Sequence, residues 1–110
     1  GRSDDMIIIN GVNVFPSQIE DVLMKTPEVG TNYLIQLDKR GSLDRLVVKA
    51  EIRAKLFTGD PDTLDDLRER IGELLRSAIL VKPVVELHEP GSLPVSEGKA
   101  KRVVDLRPAF

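Results

Sequence analysis

Two segments of the chain, one near each end, carry residue types that could do chemistry. The first, residues 1–16, contains Arg2, Asp4 and Gly11, and the second is a loop rich in Pro, Gly and Ser that leads to Lys99. A lysine ammonium is a compact positive charge on a flexible stem, so it suits the neutralisation of a carboxylate or a phosphate. A glycine has no Cβ and lets the backbone approach a ligand closely.

The Gly98-Lys99 pair invites comparison with a phosphate-binding loop, and its spacing excludes that motif. A phosphate-binding loop has four residues between its glycines and a Ser or Thr after the lysine. Here six residues separate Gly91 from Gly98, and Ala100 follows Lys99. A solvated basic tail stays open as a second interpretation, because further basic residues follow within 101–107.

The composition narrows the class of protein. The 110 residues include 16 Lys and Arg and 18 Asp and Glu, which gives a net charge of -2, and only 4% of the residues are aromatic. Neither the charge nor the aromatic content favours a nucleic-acid partner. The absence of cysteine and the single histidine, His88, exclude disulfides, thiolate catalysis and Cys- or His-rich metal sites. No apolar run approaches the ~20 residues of a membrane span, and no targeting signal is visible, so we expect a cytoplasmic protein without a membrane partner.

A tight hairpin is predicted at the start of the chain. Two short apolar runs, residues 6–9 and 12–15, flank Asn10-Gly11. An Asn-Gly pair between apolar runs is the strongest short hairpin signal, because both residues tolerate a positive φ. The hairpin would therefore place Gly11 at its turn.

A short helix is predicted after the hairpin. Ser17 and Glu20 fit a capping box, in which a hydroxyl and a carboxylate satisfy backbone amides of the first turn. The helix is expected to end near Lys25, because Pro27 biases the residue before it away from the α conformation. Its buried face consists of residues at helical spacing: Ile19, Val22 and Leu23.

Two strands, a longer helix and a last strand complete the predicted body. The paired strands cover 32–38 and 46–53, with a turn over 39–42, and the last strand covers 84–87. The second strand alternates, with Leu46, Val48, Ala50 and Ile52 on one face and Val47, Lys49, Glu51 and Arg53 on the other.

The longer helix is predicted from its start signals and its apolar stripe. Asp60 suits the N-cap and Pro61 the first helical position. The predicted stripe consists of Leu64, Leu67, Ile71, Leu74, Leu75, Ala78 and Ile79. Residues 100–107, after the loop, fit either a short strand or a helical turn.

The order of these elements predicts an α+β fold. An N-terminal β-hairpin would precede a mostly antiparallel three-stranded sheet with two helices on one face, in ferredoxin-like order. This architecture is compatible with many functions, so function must be argued from the two segments rather than from the fold.

Those two segments resemble the C-terminal domain of the adenylate-forming acyl-CoA synthetase superfamily. Residues 1–20 follow its hinge motif, G-R-x-D-D-x-I-x-x-x-G-x-x-V-x-P-x-x-I-E, without gaps. Residues 96–107 are similar to the lysine motif of the phenylacetate–CoA ligase branch. The approach to the lysine is shorter than in acetate or long-chain synthetases and carries Glu97 before the glycine, which fits that branch. The roles of Pro94 and Glu97 stay undefined.

The resemblance implies the mobile C-terminal domain of an ATP-dependent aryl-acid–CoA ligase. In such an enzyme the acid is adenylated first, and the CoA thiol then displaces AMP. The resemblance implies that a large N-terminal domain, absent here, binds ATP, Mg²⁺ and the acid, and that CoA is a co-substrate. The implied roles are hinge for Asp4, nucleotide contact for Arg2, CoA path for Gly11, catalysis of adenylation for Lys99, and loop support for Ser96 and Gly98.

Residues 1–16 would then form the hinge and hairpin, 17–88 the α/β body, and 89–110 the catalytic-lysine loop and tail. The implied partners are the enzyme's own N-terminal domain, ATP, CoA and an aryl carboxylate; a homodimer stays open. We expect the fragment alone to be inactive. The alternative is a non-enzymatic ferredoxin-like module for small-molecule sensing or protein interaction, which explains the element order but not the two segments.

Overall fold

The computed structural model describes residues 6–53, 61–93 and 103–107. Within these ranges the predicted element order is present, and residues 103–105 adopt the strand alternative that was predicted for 100–107. The elements are β1 (Ile7–Ile9), β2 (Val12–Val14), α1 (Pro16–Met24), β3 (Val29–Arg40), β4 (Leu43–Ile52), α2 (Pro61–Ile79), β5 (Val84–His88) and β6 (Val103–Asp105).

The predicted N-terminal hairpin is confirmed. Strands β1 and β2 pair antiparallel, with Ile7 opposite Val14. Asn10 and Gly11 form the turn with φ of 47° and 84°. Positive φ at both central residues is the requirement of a type I′ turn, whose twist matches that of the flanking strands.

The start of α1 corrects the predicted capping box of Ser17 with Glu20. The helix begins at Pro16, so Phe15 is the N-cap residue, and the N–H of Phe15 donates to Oε1 of Gln18 at 2.9 Å. A proline fits the first helical position because its φ is already helical and it has no N–H to leave unsatisfied. The predicted end is confirmed, since the helix closes at Met24.

Among the described residues, the main sheet is mixed and has four strands in the order β5-β4-β3-β6. The α+β class and the two helices are confirmed, and the longest ladder, β3 with β4, is antiparallel as expected. The predicted count of three strands is corrected to four, and β5 and β6 each run parallel to a neighbour. The crossover through α2 returns the chain to the same end of the sheet, so β5 must follow the direction of β4.

Strands β3 and β4 run further than the sequence pattern indicates. The predicted turn over 39–42 shrinks to Gly41 and Ser42, because the ladder continues to the pair Arg40 and Leu43. Gly41 has a φ of +63°, which lets the chain reverse within two residues. The long ladder brings the start of β4, at Asp44, into contact with the hairpin at Asn10.

The core lies between one face of the sheet, both helices and the hairpin. The predicted inward face of β4 is confirmed, and Tyr33, Ile35 and Leu37 of β3 lie on the same face. Two residues of the predicted helical stripe, Leu74 and Ala78, are exposed, because only one residue per turn faces the sheet directly. The buried residues of the two helices are Ile19, Leu23, Leu67, Ile71, Leu75 and Ile79.

The opposite face of the sheet is not uniformly exposed. Val47 and Glu51 point to this face from β4, and only 2% and 8% of their surfaces are accessible. Leu93, which follows β5, is also buried, at 7% exposure. A buried carboxylate on the face away from the helices requires partners, and those partners are Asn32 of β3 and the first residues of the predicted lysine loop, 91–93.

Candidate functional site

Most of the sequence-predicted site residues lie outside the described residues. These are Arg2, Asp4, Ser96, Gly98 and Lys99, together with Pro94 and Glu97. Gly11 is described, and so are the stretches on either side of the lysine segment, 89–93 and 103–107. The geometry of the site is therefore that of the hairpin and of these two stretches.

Gly11 occupies the tip of the hairpin turn. Its φ of +84° is one that L side chains rarely adopt, and a Cβ built there would meet no atom within 4 Å. The glycine is thus required by the backbone conformation and not by packing within the described residues. The space beside the turn is open, so a narrow ligand could approach the backbone at this point.

The other turn residue, Asn10, is bound to Asp44 at the start of β4 by three hydrogen bonds. The backbone N–H of Asn10 donates to Oδ2 of Asp44 at 2.8 Å, and its Nδ2 donates to the carbonyl of Asp44 at 3.0 Å. In return, the N–H of Asp44 donates to Oδ1 of Asn10 at 2.8 Å. The hairpin turn is therefore fastened to the β3–β4 turn.

Arg107 closes this fastening from the C-terminal side. Its Nη1 donates to the carbonyl of Ile8 at 2.8 Å and lies 3.4 Å from Oδ2 of Asp44. Its Nε and Nη2 each donate to Asp105 at 2.9 Å. The N–H of Leu106 donates to the carbonyl of Leu37 at 2.7 Å, so the stretch that carries Arg107 is itself tied to β3. We call Asn10, Asp44 and Arg107 the hairpin clasp.

The electrostatics of the clasp keep its charges in place. The hydrogen bond from the Asn10 amide, with the nearby Arg107 and Lys39 cations, holds the pKa of Asp44 below its ordinary value against the effect of desolvation. Hydrogen bonds to Asp105 raise the pKa of Arg107, and the guanidinium lowers the pKa of Asp105 in turn. The clasp is therefore ionised at neutral pH.

On the opposite face of the sheet, Glu51 anchors the stretch before the lysine segment. The N–H of Gly91 donates to its Oε1 and the N–H of Leu93 to its Oε2, each at 2.9 Å. Nδ2 of Asn32 donates to Oε2 at 2.8 Å and to the carbonyl of Leu93 at 3.3 Å. One buried carboxylate thus holds two backbone amides. We call this group, with Asn32, the Glu51 anchor.

The turn over 89–92 presents those amides to Glu51. Pro90 precedes Gly91, whose φ is +80°, and the N–H of Ser92 donates to the carbonyl of Glu89 at 3.1 Å. This is the pattern of a type II turn, with Pro at the second position and Gly at the third. Burial acts to raise the pKa of Glu51, but the amide and Asn32 donors, with the His88 side chain, outweigh it and lower the pKa.

Sequence reasoning missed Asp44 and Glu51 as residues that position the site. Glu51 was correctly placed on the face opposite the core, but its partners are about forty positions away along the chain. His88 lies beside this anchor, and its Nε2 is 3.1 Å from Oε1 of Glu86. The one usable signal was the Pro90-Gly91 pair, which marks the turn but not what the turn binds.

The described residues contain no group of three or more Asp, Glu or His side chains placed to hold a metal ion. They also contain no helix with the length and apolar character needed to cross a membrane.

Comparison with known proteins identifies the family. Residues 11–107 match the family described as AMP-binding enzyme C-terminal domain. The chain is 43% identical over 110 aligned residues to the phenylacetate–coenzyme A ligase of Aromatoleum evansii, an alignment that covers 98% of this chain and 25% of the relative. The chain thus spans about a quarter of the length of the curated relatives it matches.

Solved structures give the same result. A domain of phenylacetate–coenzyme A ligase from Bacteroides vulgatus ATCC 8482 matches with a TM-score of 0.89 and 44% identity, with full coverage of both chains. A 2-hydroxyisobutyryl-CoA ligase, solved with its acyl-adenylate and CoA in the thioesterification state, matches with a TM-score of 0.86 and 29% identity over 97% of this chain and 22% of the other. The same ligase in its postadenylation state matches with a TM-score of 0.81 and 28% identity over 96% of this chain and 22% of the other. The chain belongs to the family of AMP-binding enzyme C-terminal domains.

Proposed function

We propose that this chain is the mobile C-terminal domain of an AMP-forming phenylacetate–CoA ligase, or of a ligase for a closely related aryl acid. The observation that carries the proposal is the 43% identity to a phenylacetate–coenzyme A ligase along almost the whole chain. The full mutual coverage with the solved domain of such a ligase supports it. ATP, CoA and the aryl carboxylate would be bound mainly by the rest of the enzyme.

The proposed reaction has two steps. In the first, a carboxylate oxygen attacks the α-phosphorus of ATP, so that an acyl–phosphate bond forms and pyrophosphate leaves. In the second, the CoA thiol attacks the acyl carbon and loses its proton, a thioester bond forms, and AMP leaves. Mg²⁺, like ATP, would be bound mainly by the rest of the enzyme.

Lys99 is the residue proposed to act in the first step. Adenylation brings two anions together, and an ammonium placed between them would neutralise both and align the attack. Support comes from the similarity of residues 96–107 to the lysine motif of the branch. The anchored positions Leu93 and Val103 lie on either side of Lys99 in the sequence, so a defined base is available from which the lysine can be presented.

The hairpin turn at Gly11 is proposed to line the CoA path in the second step. The open space at Gly11 supports this role, because a pantetheine arm is narrow and needs close access to the acyl carbon. The 2-hydroxyisobutyryl-CoA ligase has been solved in a thioesterification state and in a postadenylation state, and this chain matches its C-terminal part in both, which supports a domain that takes part in both steps. Asp4 is proposed as the hinge of that rotation and Arg2 as a nucleotide contact.

The proposal is tested in the full-length enzyme by separating the two half-reactions. Lys99→Ala should slow pyrophosphate release by ~10²–10³-fold, the loss expected for one preorganised charged donor. Thioester formation from preformed acyl-adenylate should be largely kept. Lys101→Ala is the matched control, since it removes a neighbouring ammonium and should leave both steps nearly unchanged.

Two results would contradict this assignment. If Lys99→Ala lowered the rates of both half-reactions equally, the domain would not present different faces in the two steps. If the wild-type enzyme activated no aryl acid in a panel of aryl and alkyl acids, the assignment of aryl acids as its substrates would be wrong. We expect the isolated domain to release no pyrophosphate, because its family supplies only the C-terminal part of the ligase.

A non-enzymatic module remains the second candidate for this fold. An α+β arrangement of helices and strands would serve a sensing or interaction domain equally well. The family match over residues 11–107 favours the ligase, because that family is defined by AMP-binding enzymes. A stand-alone protein without an upstream ATP-binding region would support the module.

A further inference from the structure

We propose that Asp44 and Arg107 are positioning residues for the CoA-dependent step, acting by holding the Asn10-Gly11 turn in a fixed place. This inference rests on the proposed function of the hairpin. Neither residue touches a substrate in the proposal. Their action is through the hairpin clasp.

The hairpin needs such support because it is small. Its strands have three residues each and form a sheet of their own, separate from the main sheet. A two-stranded hairpin is marginally stable at best in water. Burial of Ile7, Ile9 and Val14 in the core fixes the base of the hairpin, but Asn10 and Gly11 at its tip are exposed.

The clasp restrains the tip directly. Both the backbone N–H and the side-chain amide of Asn10 are engaged by Asp44, so the turn can neither slide along β4 nor rotate without breaking a hydrogen bond. The clasp is well shielded despite its position near the surface. Only 14% of the Asp44 side chain and 19% of the Arg107 side chain are accessible.

Arg107 connects the tip to the segment that follows the proposed catalytic lysine. Its guanidinium contacts the hairpin at Ile8, the β3–β4 turn at Asp44 and its own stretch at Asp105. The hairpin turn and the stretch 105–107, which follows the lysine segment, are therefore fastened to one common framework. A shift of the hairpin relative to that framework would misplace the CoA path without removing any catalytic group.

The test is the Asp44→Ala variant of the full-length enzyme, assayed for each half-reaction. We expect KM for CoA in thioester formation to rise about tenfold, because small displacements of positioning elements have large kinetic costs. Pyrophosphate release should stay within about twofold of wild type. Asp44→Asn keeps an acceptor for the Asn10 amide and should restore part of the CoA dependence.

Asp38→Ala is the matched control. Asp38 lies on the partner strand of the same ribbon and pairs with Arg45 through two hydrogen bonds of 2.8 and 2.7 Å, without a hydrogen bond to the hairpin. It should leave KM for CoA unchanged. A similar rise of KM for CoA in Asp38→Ala would overturn the inference, and so would an equal loss of rate in both half-reactions of Asp44→Ala. Either result would mean that the clasp contributes only to folding in general.

Amide hydrogen exchange separates this inference from the proposed function. In Asp44→Ala, exchange at Asn10 and Gly11 should accelerate at least tenfold while the β4 core amides keep wild-type rates. If the exchange rates of the Asn10 and Gly11 amides were unchanged in Asp44→Ala, the clasp would not restrain the turn, and the inference would be wrong whatever reaction the enzyme catalyses. Faster exchange in an enzyme that forms no acyl-CoA would instead show that the proposed function, and with it the CoA role of the clasp, is wrong.

Discussion

The two segments proposed to act in catalysis are held by opposite kinds of anchor. The hairpin tip is fastened from outside by the clasp, through side chains close to the surface. The stretch before the lysine segment is fastened from inside by the Glu51 anchor, through a buried carboxylate that accepts backbone amides. A buried anchor is costly to break because its donors are left unsatisfied, whereas a surface clasp is cheap to break and acts mainly on position.

Removal of the buried carboxylate should have the largest effect on stability. Glu51→Ala leaves the amides of Gly91 and Leu93 without an acceptor, and we expect the free energy of unfolding to fall by about 2–3 kcal/mol. Chemical denaturation of the domain would measure this loss. If the free energy of unfolding fell no further in Glu51→Ala than in Asp44→Ala, the two anchors would not differ in their contribution to stability.

The pH dependence of stability should sharpen the same distinction. The pKa of Glu51 is lowered in the folded state, so its contribution is complete above the ordinary value of 4.5 and is lost as pH falls through the lowered value. The free energy of unfolding should therefore drop more steeply in wild type than in Glu51→Gln between about pH 5 and pH 3. Parallel curves would exclude Glu51 as a source of acid sensitivity.

Variants of the two turn residues distinguish the effect of the turn's backbone conformation from the effect of its hydrogen bonds to Asp44. Gly11→Ala forces a side chain into positive φ and should cost about 1 kcal/mol in unfolding free energy. Asn10→Gly keeps the turn conformation but removes two hydrogen bonds of the clasp, so it should raise KM for CoA with a smaller loss of stability. Equal effects of both variants on KM would argue that conformation alone matters.

A site distant from both anchors supplies a reference for small effects. Leu80 follows α2 with a φ of 66° and is 78% exposed, where glycine is the usual residue. Leu80→Gly should raise the free energy of unfolding by about 0.5 kcal/mol, because it relieves the positive φ at some entropic cost. Thermal unfolding would detect the gain, and neither half-reaction should change.

Local signals account for what could be predicted from the sequence. The Asn10-Gly11 turn and the inward face of β4 followed from rules that span a few residues, and both are confirmed. The N-cap of α1 was misplaced by two residues, at Ser17 instead of Phe15, because two helix-start signals competed and Pro16 took the first helical position.

The missing information was long-range. The local pattern left residues 100–107 open between a short strand and a helical turn, and it is the pairing with the edge of β3 that makes residues 103–105 a strand. The partners of Glu51 and Asp44 are about forty and thirty-four positions away, respectively. Period-two alternation could place Glu51 on the outer face, but it could not indicate that another segment covers that face.

The span of the Arg107 contact bears on how such ligases can be recombined. Its hydrogen bond to Ile8 joins residues 99 positions apart, so almost the whole domain lies between donor and acceptor. A hairpin transferred alone into another enzyme would lack Arg107, the cation that orients it. Chimeras should therefore exchange the domain as one block that extends through Arg107, and junctions placed after β5 should yield enzymes that activate acids but use CoA poorly.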